Sequence, residues 1–244
     1  MVAKGKTGGS AGVMARKRSS VLKSTNGTHV RAQTKVSTHK PKANRVVKVN
    51  VTWADLEAVK SDVVLVGHYM GVVPQRAELV LDMLISRSSE SASGKLVLTE
   101  LSKRGAIRGE LGEIMFFPLG DRQLVAVAGM GRPGTFRTGQ LRRLARTVAQ
   151  VVGLLPRHNT LATVVIGSGE GNMPMDESVQ VFLEGFIEAL SGDGGLRIDQ
   201  VTFVENKLDR AMDIQQALKK SAHQFTEAGR AGKGLGVQVQ DTLV

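Results

Sequence analysis

Cysteine is absent from all 244 residues. That excludes disulfides, thiolate-held zinc and cysteine nucleophiles together, and it fits a reducing compartment. No apolar run approaches the roughly eighteen residues that a membrane helix needs. The expected setting is the cytoplasm, without a membrane partner. Acidic residues are missing from the first 54 positions, which hold twelve basic ones, Arg16, Lys17 and Arg18 among them. The other 21 of the 33 basic residues face all 22 acidic ones, so the net charge of +11 belongs to one end of the chain.

Residues 1–44 also carry few large apolar side chains. A segment of that composition buries too little surface to offset its ordering entropy, so it reads as a disordered tail that folding does not require. Three roles fit it. It is a solvated tail, an electrostatic arm for nucleic acid or another polyanion, or a Ser/Thr-rich, acid-poor organellar transit peptide. It contains no aromatic residue, so any nucleic acid is held through phosphates and without sequence preference.

Order begins near Arg45. In RVVKVNVTW, Val47, Val49, Val51 and Trp53 alternate with Lys48, Asn50 and Thr52, the period of a strand. Further strands are expected over residues 62–67, 96–101, 113–118, 123–128, 161–167 and 200–205. Helices are expected over 77–85, 139–155, 177–190 and 206–225. Several strands are apolar on both faces, as in a sheet covered on both sides. The expected fold is α/β, with three layers around a mixed, mostly parallel sheet. The organisation is then a basic tail (1–44), one α/β domain (45–225) and a glycine-rich tail (226–244). That last segment ends in an alternating stretch that is either an edge strand or loose.

Two strands run into glycine turns that open helices. One carries Gly129, Gly131, Arg132 and Gly134, the other Gly167, Ser168, Gly169 and Gly171. At the carboxyl edge of a parallel sheet such turns are where ligands bind, and free N–H groups there attract anions. These residues are the candidates for anion or ligand binding, with simple tight turns as the competing reading. Arg132 adds charge to the first turn, whereas Glu170 and Asp176 subtract it from the second. Neither turn has a complete nucleotide fingerprint. The five histidines have no metal-ligand spacing, and neither a metal nor a cofactor is expected. His68, just after a strand, reads as a loop or partly buried histidine rather than a catalyst. Arg142, Arg143 and Arg146 lie on the polar side of a helix, either as a solvated face or as a patch for nucleic acid or an acidic partner.

Taken in order, DVVLVG, LSKRGAIRGELGEIMFFPLG and QLVAVAGMGRPGTFRTGQLRRLARTVAQVV resemble the N-terminal domain of the leucyl aminopeptidase (M17) family. The turn Gly109-Glu110-Leu111-Gly112-Glu113 is part of that resemblance. The stretch GSGEGNM with the helix and strand after it is similar to the closing half of macro-type domains. The resemblance implies a macro-like fold. It implies no aminopeptidase activity, because the family's metal site lies in a separate domain with motifs such as N-T-D-A-x-G-R, which nothing here matches. Macro domains that bind ADP-ribose carry an adenine-reading Asp near the first buried strand. Here VLVGHYMGVV stands instead, so a glycine loop is expected without adenine-side recognition.

The expected function is thus a non-catalytic protein-interaction or regulatory module, acting on a partner protein or as a homo-oligomer. By analogy with similar domains, a protease is one such partner. The alternatives are a nucleic-acid-associated protein that uses its basic tail and an ADP-ribose-like nucleotide binder or hydrolase.

Overall fold

A computed structural model describes residues 45–88, 94–169, 173–192, 195–228 and 235–240. The readings made for Arg16, Lys17, Arg18, Glu170 and Gly171 lie outside the described residues. A seven-stranded sheet organises the domain, in the order β3-β4-β2-β5-β6-β1-β7. Its strands are β1 (Arg45–Trp53), β2 (Val63–Tyr69), β3 (Ile114–Leu119), β4 (Gln123–Gly131), β5 (Thr160–Thr163), β6 (Gln200–Glu205) and β7 (Leu235–Val239). Only β3 runs antiparallel to its neighbour, through its hairpin with β4. The sheet is therefore mixed and mostly parallel, as expected.

Strand alternation divides the core in two. Val47, Val49, Val51, Val63, Leu65, Ala126 and Ala128 face one side. There they meet α3 (Thr138–Gly153), α4 (Met175–Gly192) and α5 (Leu208–Ala228). Val64, Val66, Val125 and Val127 face the other side, towards Leu81, Ile85 and Leu98 of α1 (Ala77–Ser88) and α2 (Val97–Lys103). Helices cover both faces, which is why the central strands carry few polar residues. Among the described residues no helix is long and apolar enough to cross a membrane.

Three expectations need correction. Residues 96–101 do not form a strand. The buried Asp82 carboxylate of α1 accepts the N–H groups of Leu98 (2.7 Å) and Thr99 (2.9 Å) and the Thr99 hydroxyl (2.7 Å). That remote acceptor satisfies donors at a helix start, which local sequence cannot supply. β5 is shorter than expected and ends at Thr163, whose hydroxyl donates to the carbonyls of Leu65 and Val164. The chain leaves the ladder there and opens the space that matters below. Trp53 does not share the buried face of Val47, Val49 and Val51. It is 52 % exposed, with its indole N–H donating to the Asn206 carbonyl. The alternating stretch near the carboxyl end is the edge strand β7, parallel to β1.

Candidate functional site

The parallel strands deliver their carboxyl ends to one edge of the sheet, where a cleft of about 1180 Å³ opens. Its walls come from five places. Asp55 and Glu57 follow β1, Tyr69 and Arg76 follow β2, residues 164–169 follow β5, and Lys207 and Arg210 follow β6. Met130, Pro133 and Gly134 close the side nearest β4.

The glycine turn after β5 is built for this edge. Gly167 has φ +92°, and a Cβ placed on it would lie 2.3 Å from Met173 Cε and 3.2 Å from Phe136 Cε1. Only glycine meets both demands. Ser168 turns its hydroxyl to the Val165 carbonyl, 3.1 Å away. Gly169 has no left-handed φ, and its nearest outside neighbour is Arg76 Nη1, 3.8 Å from a built Cβ. A guanidinium therefore stands beside the turn. Arg76 itself holds φ +52° just before α1. That is a costly conformation for a non-glycine residue, of the kind found where a side chain is used. Sequence reasoning missed Arg76, because its partner in space lies more than ninety positions away.

The β4 turn is different. The Gly129 N–H donates to the Glu113 carbonyl (2.8 Å) and the Gly131 N–H to that of Gly109 (2.8 Å). The expectation of free N–H donors there is corrected, since the Gly109-to-Glu113 turn takes both. Glu113 in turn accepts the N–H groups of Arg108 and Glu110. Arg132 does not line the cleft, although Pro133 and Gly134 do.

Asp55 was also missed. It lies just past β1 on the cleft wall, with Asn206 Nδ2 3.4 Å away. This carboxylate comes from the end of β1, outside the stretch VLVGHYMGVV at β2. The basic run on α3 changes meaning too. Arg142 pairs with Glu184, and Arg146 pairs with Glu188 at 3.0 Å, both on α4. Two of the three arginines thus hold helices together, and Arg143 is exposed. Across the same contact, a Cβ on Gly185 would lie 2.3 Å from the Arg142 carbonyl oxygen, so glycine lets the two helices approach.

Behind the cleft, His68 is 1 % exposed. Its Nδ1 lies 2.6 Å from Glu78 Oε1 and its Nε2 lies 3.4 Å from Ser102 Oγ. The expectation of a loop or partly buried histidine just after a strand is corrected, since His68 sits within β2 and is fully buried. Burial pushes the Glu78 carboxyl above its ordinary 4.5, and the bond from His68 offsets this only in part. A raised value means that the fold favours protonated Glu78. Its contribution is full below 4.5 and is lost as pH rises through the folded value. Glu78→Gln keeps a neutral hydrogen-bonding partner at every pH. In urea titrations from about pH 4 to about pH 7, wild type is expected to lose stability relative to Glu78→Gln as pH rises. A constant difference across that range refutes the reading.

Among the described residues no group of three or more His, Asp or Glu is placed to hold a metal ion. No curated protein matches the sequence. Solved structures with the same fold include the Oceanobacillus iheyensis macrodomain with ADP, at 13 % identity and a TM-score of 0.55, covering 76 % of this chain and 96 % of that one. A variant of that macrodomain with ADPR matches at 14 % identity and 0.53, covering 75 % and 96 %. The Trypanosoma brucei macrodomain in complex with ADP matches at 16 % and 0.50, covering 72 % and 69 %. At such identities the likeness is one of fold. Residues 72–200, more than half of the chain, match the sequence model of the cytosol aminopeptidase family, N-terminal domain. With its macro-like sheet and its braced β4 turn, the chain belongs to the cytosol aminopeptidase family through that N-terminal domain.

Proposed function

We propose that the chain is a binding module whose cleft takes a phosphate-bearing nucleoside of the ADP-ribose class. The observation that carries this reading is a carboxylate and a guanidinium at distant points of one cleft, whose β6 side also carries Lys207 and the Arg210–Glu205 ion pair. Asp55 stands at the β1 end, and Arg76 stands beside the glycine turn at the β2–β5 end. β1 and β2 are three strand spacings apart in the sheet order, about 14 Å. A free phosphate does not bridge that distance. An elongated ligand does, with an exocyclic amine donating to Asp55 and phosphates beside Arg76. Tyr69, packed edge-on to Phe136 at 6.2 Å, lines the cleft at the β2 end. The neighbours solved with ADP and ADPR share the fold that builds this edge.

Calorimetry and thermal melting with ADP-ribose test it. At ligand about a hundredfold above Kd the expected stabilisation is about 2.7 kcal/mol. Arg76→Gly relieves the left-handed backbone, so free-protein stability is expected to stay within about 1 kcal/mol of wild type. Affinity should fall at least tenfold, about 1.4 kcal/mol. Asp55→Ala should weaken ADP-ribose more than ribose 5-phosphate. No shift with ADP-ribose or ADP at millimolar concentration refutes the reading.

A second reading, an interaction module, has one observation in its favour. Trp53, Leu208 (44 % exposed) and Met212 (56 % exposed) leave apolar surface in water near the turn from β6 to α5. If that surface mates with a second copy, sedimentation should show a dimer that Leu208→Glu/Met212→Glu dissociates. A monomer at all concentrations rules out self-association through that surface.

A further inference from the structure

The opposite, amino-terminal edge of the sheet carries a second concavity, of about 480 Å³. Arg45 at the start of β1, Arg157 and His158 before β5, and Arg197 and Asp199 before β6 converge on it. With three arginines against one aspartate it is formally cationic even with His158 neutral. The arginines differ in what they already do. The Arg45 guanidinium donates to the carbonyls of Leu196 and Ile198 and lies 3.8 Å from Asp199. Asp199 also accepts from Asn159 Nδ2 at 2.7 Å. Arg157 and Arg197 are exposed, and among the described residues neither pairs with an acid. Arg157 also holds φ +68°. Among the described residues it is the second non-glycine residue in the left-handed region, and like Arg76 it carries a guanidinium on the wall of a concavity.

We propose that this edge, through Arg157 and Arg197 with Arg45 beside them, binds the phosphate backbone of a nucleic acid. Exposed guanidinium groups hold a lone anion weakly, because water and salt screen them. A polyelectrolyte differs, because each phosphate that meets a cation releases condensed counterions, and this supplies affinity without burial. Cations from three separate segments along one open edge suit a chain of phosphates. By sequence, Arg45 also belongs to the acid-free stretch with eleven further basic residues. On α3, by contrast, Arg142 and Arg146 are committed to α4.

The test uses the full chain, fluorescein-labelled single-stranded and duplex oligonucleotides of mixed sequence, and anisotropy across salt concentrations. Wild type is expected to bind with a steep negative slope of log affinity against log salt. Arg157→Gln/Arg197→Gln should bind at least tenfold more weakly at about 0.1 M salt, with the slope shallower by about two. Arg157→Gly/Arg197→Gln, which removes the backbone strain, should do the same. Arg143→Gln should leave both quantities unchanged. Melting curves confirm that the variants are folded. Stronger binding of the single strand or of the duplex identifies the form of nucleic acid. The proposal fails if wild type does not bind at low salt, or if the double variants keep wild-type affinity and slope. It fails equally if inorganic phosphate displaces the oligonucleotide at constant ionic strength, which marks a small-anion site. Displacement by polyglutamate at equal charge concentration marks an acidic protein partner and also overturns it.

Discussion

Gly129→Ala is expected to destabilise the domain by about 4 kcal/mol. At this size that lowers Tm by about 8–16 °C. A Cβ on Gly129 would lie 2.0 Å from the Glu110 carbonyl oxygen and 2.8 Å from two carbonyl carbons, all of them backbone. No rotamer change relieves such a contact. Either β4 or the Gly109-to-Glu113 turn must move, and movement breaks the 2.8 Å bonds from Gly129 and Gly131 to that turn. Gly109 has no room to yield. It holds φ +71°, and its own Cβ would sit 2.8 Å from the Met70 nitrogen. The effect should appear in the melting temperature of the free protein and owe nothing to a ligand. A change below about 1 kcal/mol would mean that the turn is not braced as described.

Gly167→Ala should cost about 2 kcal/mol, whereas Gly169→Ala should stay within about 0.5 kcal/mol of wild type. At Gly167 two costs add. The left-handed φ penalises any Cβ, and Met173 and Phe136 occupy the space it would enter. Met173 is flexible, which limits the steric part. At Gly169 neither cost applies, since the nearest outside atom is Arg76 Nη1 at 3.8 Å. The two variants also divide stability from binding. Gly169→Ala places a methyl beside the proposed phosphate position, so ADP-ribose affinity should fall while Tm holds. Equal melting temperatures for the two variants would refute the assignment of the left-handed position to Gly167.

The sequence by itself determined the class of fold, because its evidence is periodic and short-range. Val47, Val49 and Val51 announce a strand by alternation, and Val179, Phe182, Leu183 and Phe186 announce a helix by their spacing; all seven are buried. Both glycine turns were visible for the same reason, since glycine marks backbone demands wherever it stands. Tertiary structure decided what each turn is for. The N–H groups at Gly129 and Gly131 are consumed by carbonyls some twenty residues earlier in the chain, and nothing local to them says so. Residues 97–103 are helical because Asp82 reaches across from α1. Arg76 and Gly169 meet only because β2 and β5 are neighbours in the sheet, and Asp55 reaches the cleft only because β1 lies beyond β6. Arg142 and Arg146 looked free on α3 until α4 brought Glu184 and Glu188 to them. Periodicity reports which side of an element is buried, whereas a binding site is a meeting of side chains from different elements. Strand order makes that meeting, and no local pattern encodes strand order.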